Sequence, residues 1–319
     1  MKIAILDAYQ DSVRYLACFA LLAEHDVIVL NESLTQQALV EKLQDVQALV
    51  WIRERTVITE SLLAQLPQLK LISQTGKISN HIDPILCQKY AVDIAQGIGS
   101  PVAPAELCWT LIMAASRNIA AYANALQQGQ WQQSGALGLG RTLNGLTLAI
   151  WGYGKIGKRI AQYAQAFAMD VIVWGSEESR QAAVKDGFRA ASSKSEFFQQ
   201  ADIISLHLRL NAVTKGCVTT ADLQQLKDDA LIVNTSRAEL IESGALYAQL
   251  TKRRSIRAAI DVYENEPGNT SNEPLIALDN VLALPHIGYV EQNSYELYFK
   301  IAFENVIAYA QGSPKNLMH

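Results

Sequence analysis

The amino-acid sequence predicts an α/β protein of two domains, each built around a parallel β-sheet. Three observations carry this prediction. The chain has 319 residues, the usual length of about two domains. Short runs of branched apolar residues alternate with segments of helical spacing along most of the chain. A glycine-rich loop at residues 152–157 lies between one such strand and the helix that follows it.

The first hundred residues hold the first alternation of strands and helices. Thr35 and Thr59 are natural N-caps for two of the helices, because a threonine hydroxyl accepts a hydrogen bond from a free backbone amide of the first turn. The predicted strands are Lys2–Leu6, Asp26–Leu30, Ala48–Ile52, Leu69–Gln74 and Val92–Gln96. The predicted helices are Thr35–Leu43, Thr59–Leu66 and Asp83–Tyr90.

The second alternation follows a predicted hinge at Gly97–Pro101 and a long helix, Pro104–Asn118. The inner face of that helix is expected to include Leu107, Thr110, Leu111 and Ala114. Further strands are predicted at Thr147–Trp151, Val171–Trp174, Ile203–Leu206, Ala230–Asn234, Arg257–Asp261 and Val281–Leu284. Further helices are predicted at Ala120–Gln130, Lys155–Ala168, Thr220–Leu226, Ser243–Thr251 and Gln292–Gln311. We expect the last helix to return to the first domain, which gives domains 1–98 with 288–319 and 99–287.

Composition excludes several classes of function. The net charge is −4 and the longest basic run is Lys252–Arg254, whereas nucleic-acid phosphates call for a clustered basic face. The four cysteines show no metal-ligand spacing and fit a reducing compartment. No run reaches the roughly 18 apolar residues that span a bilayer. We therefore expect a cytoplasmic protein with no metal, no nucleic-acid partner and no membrane segment.

The loop Gly152-Tyr153-Gly154-Lys155-Ile156-Gly157 has the spacing of a dinucleotide-binding turn. The first glycine permits a tight turn, the second lets a pyrophosphate approach the backbone, and the third lets the helix pack closely on the strand. A purely structural turn is the alternative. Because a strand precedes the loop and a helix follows it, we predict a Rossmann-like domain that binds a dinucleotide.

The end of the second strand of this domain departs from the usual NAD pattern. Gly175 stands where an acidic residue normally bonds the ribose hydroxyls, so a 2′-phosphate would not be repelled there. The side chains that would bond or neutralise such a phosphate are Ser176, Arg180 and Lys194. Two alternatives stay open for Glu177 and Glu178, which would take over the ribose role or simply begin the next helix. The predicted cofactor is therefore NADP or NAD, with NADP slightly favoured.

Three later segments carry the groups that a hydride-transfer reaction needs. Arg237, in Asn234–Arg237, is a permanent cation able to hold a carboxylate by two parallel hydrogen bonds. His286, in Pro285–Gly288, is able to exchange a proton near neutral pH. Glu266, in Asp261–Pro267, is able to orient that imidazole. With a nucleotide-binding domain upstream, these groups suggest an enzyme that reduces 2-oxo acids.

The order and spacing of these motifs resemble the D-2-hydroxyacid dehydrogenase family, which includes phosphoglycerate dehydrogenase and glyoxylate/hydroxypyruvate reductase. The resemblance runs over nearly the whole chain. It implies two Rossmann-like, doubly wound parallel-sheet domains with the active site in the cleft between them, and a homodimer. Arg237 would bind the substrate's carboxylate and carbonyl oxygen, His286 would be the acid/base and Glu266 its partner. The implied cofactor-binding residues are Gly152, Gly154, Lys155, Ile156, Gly157, Ser176, His207, Leu208, Thr214, Thr235, Asp261 and Gly288.

The chain departs from the family in the segments that would face the substrate. In the loop Gly76–Asp83 the family usually has a second glycine where Ile78 stands, and Lys77 adds a cation. Arg53 lies in a segment that resembles the one facing a substrate phosphate in phosphoglycerate dehydrogenase, although a solvated surface pair is the alternative. The predicted substrate-binding residues are Arg53, Gly76, Lys77, Ile78 and Arg237.

After His286 the family's usual small residues are replaced by Tyr289 and Val290, which reshapes the pocket. The predicted function is hydride transfer between a nicotinamide cofactor and a small D-2-hydroxy acid or 2-oxo acid. One alternative is a nucleotide-sensing, corepressor-like binding protein of the same fold. Formate dehydrogenase, another relative, has glutamine at the position of Glu266, so the carboxylate argues against it.

Overall fold

The computed structural model describes residues 1–52, 56–78 and 81–318, and the chain divides into two compact units. Unit 1 comprises Met1–Ser100 and Val290–His319, and unit 2 comprises Pro101–Tyr289. The boundaries expected from the sequence were 98/99 and 287/288, each two residues before the observed position (98 against 100, and 287 against 289).

Unit 1 is built on a sheet of five parallel strands in the order β2-β1-β3-β4-β5. The strands are β1 (Lys2–Ile5), β2 (Asp26–Val29), β3 (Ala48–Trp51), β4 (Leu71–Gln74) and β5 (Asp93–Ala95). The helices that alternate with them are α1 (Gln36–Leu43), α2 (Glu60–Leu63) and α3 (Pro84–Lys89). The hydroxyls of Thr35 and Thr59 accept bonds from the backbone amides of Ala38 and Leu62, as the sequence predicted.

Unit 2 holds seven parallel strands in the order β12-β11-β10-β9-β6-β7-β8. Together the two sheets confirm the predicted fold class of two parallel-sheet α/β domains. The helices are α4 (Val102–Ser116), α5 (Ile119–Gln127), α6 (Lys155–Ala166), α7 (Glu177–Lys185), α8 (Lys194–Gln200), α9 (Thr220–Gln224) and α10 (Ala245–Lys252). The strands are β6 (Thr147–Trp151), β7 (Asp170–Trp174), β8 (Arg189–Ala190), β9 (Ile203–Leu206), β10 (Leu231–Asn234), β11 (Arg257–Ile260) and β12 (Val281–Ala283).

The strand order of unit 2 brings the predicted motifs to one edge. The order reverses at β6, which pairs with β7 on one side and with β9 on the other. In open parallel sheets a ligand binds beyond the carboxyl ends of the strands at such a reversal. The segments that follow β6, β9, β10, β11 and β12 therefore share the edge where the candidate site is built.

Two glycines of the loop after β6 are required by packing. A Cβ at Gly157 would lie 2.1 Å from the carbonyl oxygen of Gly152, so no side chain fits there while α6 packs on its strand. Gly152 has φ +101°, and a Cβ there would lie 2.7 Å from the carbonyl oxygen of His207. A Cβ at Gly154 would meet no atom within 4 Å, so the middle glycine faces open space.

The long helix α4 buries only part of the face that the sequence suggested: Leu111 is buried and Leu107 packs on the core, but Thr110 is not buried. Its buried residues include Cys108, Leu111 and Ile112, whereas Thr110 is exposed and donates its hydroxyl to the carbonyl oxygen of Glu106. Most positions of this helix are apolar, so the spacing of its hydrophobic residues does not single out one face.

The last helix, α11 (Gln292–Ala310), belongs to unit 1, as expected. It packs against β4, where the hydroxyl of Ser73 donates to the carbonyl oxygen of Ala302 at 2.9 Å. Phe299 and Phe303 of this helix are buried, and Phe303 meets the ring of Phe19 edge to face. Within the described part of the chain, no helix is both long and apolar enough to cross a membrane.

Candidate active site

The side chains of His286 and Glu266 form a close pair after β12 and β11. His286 Nδ1 lies 2.7 Å from Glu266 Oε2, and the other carboxylate oxygen accepts a bond from the backbone amide of Tyr263 at 3.1 Å. When Nδ1 carries a proton and donates it to the carboxylate, Nε2 is the ring atom left to exchange a proton with another molecule. The pair therefore has the arrangement of an oriented acid/base group.

The loop that carries His286 is held by a buried carboxylate at the end of β11. Asp261 accepts from the backbone amides of Ile287 and Gly288, each at 2.8 Å, one on each oxygen. Its side chain is fully buried (0% exposed), and burial raises its pKa to about 6 although the two amides act in the opposite direction. A Cβ at Gly288 would lie 3.2 Å from Asp261 Oδ2, so a glycine leaves room for this clamp.

One further hydrogen bond joins the segments that lead into this loop. The hydroxyl of Tyr263 donates to the carbonyl oxygen of Leu284 at 2.7 Å, just before the His286 segment. His286 itself has φ +53°, a backbone conformation that residues other than glycine rarely adopt. The surrounding hydrogen bonds therefore keep His286 in a conformation that it would not favour alone.

Arg237 lies in a turn after β10 that is fixed by buried polar groups. The side-chain amide of Asn234 donates to the carbonyl oxygen of Arg237 at 2.8 Å, and its oxygen accepts from the amide of Ser236 at 3.0 Å. The hydroxyl of Ser236 donates to the carbonyl oxygen of Leu208 at 2.6 Å. Arg237 is half-buried, and its Nη1 donates to the carbonyl oxygen of Ser236 at 2.7 Å. The turn thus presents a guanidinium from a rigid backbone.

The loop after β6 fits the pyrophosphate of a dinucleotide. Helix α6 is twelve residues long, and its N-terminus follows directly from Gly154, whose missing side chain leaves open space. The free amides and the positive end of such a helix favour an anion. Lys155 is exposed at the first helical position, and Ile156 is half-buried against the core of unit 2.

The end of β7 carries the groups predicted to select the cofactor. Gly175 has φ +150°, and Ser176 caps α7 by accepting from the amide of Ser179 at 3.3 Å. The guanidinium carbon of Arg180 lies 5.0 Å from the centre of the Trp174 ring. Lys194 is engaged elsewhere, because it pairs with Asp222 and donates to the carbonyl oxygen of Cys217.

The remaining predicted cofactor residues lie after β9 and β10. Burial lowers the pKa of His207 to about 4, so its ring is neutral near pH 7, and Nε2 lies 2.8 Å from the hydroxyl of Ser205. Leu208 and Thr235 are half-buried on the same edge of the sheet. The hydroxyl of Thr214 donates to the carbonyl oxygen of Arg209 at 2.6 Å, which holds its own loop together.

The predicted substrate loop belongs to unit 1. The carbonyl oxygen of Gly76 accepts from the amide of Gly97 at 2.9 Å, and Ile78 is half-buried against the core of unit 1. Lys77 is exposed. Arg53 lies outside the described residues. Among residues 1–52, 56–78 and 81–318, no three histidine, cysteine or acidic side chains are arranged to hold a metal ion.

The supporting residues of the site were not identified from the sequence. Asn234 and Ser236 were seen only as neighbours of Arg237, and Tyr263 only as part of its motif. The sequence feature that could have identified them is the repeated placement of polar or aromatic residues directly after strands, because parallel strands end at a common edge.

Comparison with known proteins identifies similar chains. Residues 109–288 match the family model described as D-isomer specific 2-hydroxyacid dehydrogenase, NAD binding domain. The crystal structure of phosphoglycerate oxidoreductase from Vibrio cholerae O395 is 60% identical, with a TM-score of 0.97 over 98% of this chain and 99% of that one.

Two curated relatives are more distant. Glyoxylate reductase from Aeropyrum pernix is 31% identical over 294 residues, which cover 89% of this chain and 86% of that enzyme. D-3-phosphoglycerate dehydrogenase from Methanocaldococcus jannaschii is 30% identical over 308 residues, 96% of this chain. The chain spans only 57% of the length of that second enzyme.

The raised pKa of Asp261 predicts a pH-dependent contribution to stability. An ordinary aspartate in the unfolded chain has a pKa near 4. The contribution of Asp261 is therefore complete below about pH 4 and is lost as pH rises through about 6. Since Asp261→Asn mimics the neutral form, its loss of unfolding free energy should be largest near pH 4 and smaller by about 2–3 kcal/mol at pH 7.

Urea unfolding of both proteins at pH 4.5, 5.5 and 7 measures this difference. Asp170→Asn, which alters an exposed carboxylate of the same unit, is the control against which the effect of Asp261→Asn is compared. If the loss of unfolding free energy caused by Asp261→Asn instead grows with pH, the two amide bonds lower the pKa of Asp261 by more than burial raises it.

Proposed function

Because the chain belongs to the D-isomer specific 2-hydroxyacid dehydrogenase family, we propose that Arg237, Glu266 and His286 are its catalytic residues. The chain is an oxidoreductase that transfers a hydride between a nicotinamide cofactor and a small 2-hydroxy acid or 2-oxo acid. The observation that carries the assignment of residues is the 2.7 Å contact between His286 Nδ1 and Glu266 Oε2, in a loop clamped by Asp261.

Each of the three side chains has one task in the reducing direction. Arg237 holds the carboxylate of the 2-oxo acid and polarises its carbonyl group. His286 donates the proton on Nε2 to the carbonyl oxygen as negative charge develops there. Glu266 accepts from Nδ1 and keeps the ring oriented through the transfer. The nicotinamide, when bound, supplies the hydride. In the oxidising direction His286 takes the proton back.

We infer that the substrate is a small 2-oxo acid of the glyoxylate and hydroxypyruvate type, because relatives that match most of the chain are named as reductases of these compounds. Relatives named for phosphoglycerate add a phosphorylated acid to the candidates. The roles of Gly76, Lys77, Ile78 and Arg53 in substrate binding stay predictions. The alternative of a nucleotide-sensing binding protein is not supported, since the relatives compared above are named as oxidoreductases.

We propose that NADPH is accepted and modestly preferred over NADH. Gly175 offers no carboxylate to repel a 2′-phosphate, and Ser176 and the guanidinium of Arg180 lie at the N-terminal half of α7. Within the described residues Arg180 has no carboxylate partner, so its charge is available to an anion. Glu177 is the main competitor for the ribose, although its Oε1 already accepts from Gln181 at 3.0 Å.

We propose that unit 2 forms a homodimer through the segment 119–139. Helix α5 has no buried residue, and it begins with the exposed Ile119. Leu126, Trp131 and Leu139 follow, with Trp131 75% and Leu139 92% exposed. So much apolar surface on one short segment is typical of a protein interface. A second copy of the chain is the partner that covers it in a two-fold arrangement.

We infer that the protein works in the cytoplasm. All four cysteines, Cys18, Cys87, Cys108 and Cys217, are free, which suits a reducing compartment. Burial raises the pKa of three of them to about 11 or 12, so their thiols stay protonated and unreactive near pH 7.

His286→Ala should lower the rate of 2-oxo acid reduction about 10²- to 10⁴-fold, because the proton donor is lost. The measurement is kcat/KM with glyoxylate, hydroxypyruvate and phosphohydroxypyruvate, using NADPH and NADH. His25→Ala, in unit 1, is the control and should keep wild-type activity. Activity of His286→Ala within a few-fold of wild type would remove His286 from the mechanism.

Arg180→Gln should weaken NADPH binding about 10-fold and change NADH binding less than about 2-fold, because a charge-assisted bond to the 2′-phosphate is lost. Fluorescence titration of the apoenzyme gives both dissociation constants. Lys185→Gln removes the same charge from the other end of α7 and is the control. If the wild type binds NADH tightly and Glu177→Ala abolishes that binding, Glu177 is the residue that bonds the ribose hydroxyls, and the proposed preference for NADPH is wrong.

Leu126→Glu combined with Trp131→Glu should convert the dimer to a monomer, since two charges would be buried at the interface. Sedimentation equilibrium measures the molar mass, which is 35.1 kDa for one chain. Tyr15→Glu, at an exposed aromatic residue of unit 1, is the control and should leave the dimer intact. A monomeric wild-type protein would contradict the proposal directly.

A further inference from the structure

The imidazole of His286 packs against the aromatic ring of Tyr289. The ring centroids are 5.9 Å apart and the planes meet at 78°, an edge-to-face contact. Tyr289 is only 2% exposed and is one of the largest fully buried side chains of the chain. A bulky buried ring therefore forms one wall beside the imidazole.

Among the described residues, the hydrogen bonds to the His286 segment and ring leave the ring able to tilt about its contact with Glu266. Asp261 fixes the backbone of the two residues that follow, and Glu266 holds one ring atom through a single hydrogen bond. A ring held at one atom is still able to tilt about that bond. The contact with Tyr289 blocks a tilt toward that side, because the buried ring of Tyr289 already occupies the space there.

We propose that Tyr289 is a positioning residue that keeps Nε2 of His286 aimed in one direction. This inference rests on the proposed role of His286 as proton donor. Proton transfer requires the donor within hydrogen-bond reach of the substrate oxygen, and a misplacement of about 1 Å costs on the order of 10²-fold in rate. A smaller side chain at position 289 would leave a cavity into which the imidazole tilts.

In this proposal the aromatic ring of Tyr289, and not its hydroxyl, holds the imidazole of His286 in one orientation. Tyr289→Phe keeps the ring and its edge-to-face contact, so it should retain kcat within about 3-fold. Tyr289→Leu removes the ring, so kcat should fall about 10- to 100-fold while KM changes less than about 3-fold. Tyr289→Met, which has nearly the volume of leucine but a longer and more flexible side chain, should lose kcat in the same way.

The experiment measures kcat and KM of the complete protein for its best 2-oxo acid, together with the melting temperature of each variant. Phe198→Leu is the matched control, because Phe198 is equally buried in unit 2 and packs on Phe197 and Trp151. It should lower the melting temperature without lowering kcat by more than about 3-fold. This control separates a general loss of packing from a loss of orientation.

The outcomes distinguish this inference from the proposed function. Full activity of His286→Ala would overturn the proposed role of His286 and the inference together. An inactive His286→Ala beside a folded Tyr289→Leu or Tyr289→Met with wild-type kcat would overturn the inference alone. Loss of kcat in Tyr289→Phe would assign the effect to the hydroxyl, and a rise in KM at constant kcat would make Tyr289 a substrate contact; both contradict positioning through the ring.

Discussion

The carboxylate of Asp261 is the constraint on which the geometry of the site depends. It ends β11 inside the protein and accepts the amides of the two residues that follow His286. A buried carboxylate is costly unless its oxygens are bonded, and here each oxygen receives a backbone amide. The two hydrogen bonds therefore compensate the buried carboxylate for the loss of water and also fix the loop after β12. Only with this loop in place does the imidazole reach Glu266.

Asn234, at the end of the neighbouring strand β10, is likewise a buried polar side chain that bonds backbone groups of a functional turn. β10 and β11 pair in register, with Asn234 opposite Ile260, so the two strands end side by side. Asn234 is 2% exposed, and its amide group bonds both the residue before Arg237 and Arg237 itself. Buried polar side chains at neighbouring strand ends thus hold the two turns that carry the cation and the acid/base pair. The strands hold the backbone rigid, and the short turns that follow them carry the side chains proposed to act on the substrate.

The sequence predicted most of this architecture, because buried parallel strands are continuous apolar runs that need no knowledge of tertiary contacts. It left open a helix beginning at Glu177, which is where α7 begins, and it missed β8 and α8, where a two-residue strand and a polar helix give no hydrophobic period. It placed Thr110 on the inner face of α4 wrongly, because that helix is apolar on most sides and its hydrophobic spacing does not single out one face. Arg237, Glu266 and His286 were found from residue type and spacing. The clamp of Asp261, the turn of Asn234 and the ring of Tyr289 depend on which strands end together, and local sequence does not reveal that.

Unit 1 is formed by two separate segments of the chain, so its last helix is synthesised only after the whole of unit 2. Its sheet is complete once residue 95 has been made, but α11, which covers β4, begins only at Gln292. Unit 2 is continuous, from Pro101 to Tyr289, and all of its segments leave the ribosome before that helix. Domains fold as units while translation adds about 5–20 residues per second. The apolar face of β4 therefore stays uncovered for the roughly ten to forty seconds in which the intervening 196 residues (96–291) are made. Over that interval unit 2 is synthesised while unit 1 still lacks the helix that covers β4, so unit 1 is the part of the nascent chain with exposed apolar surface.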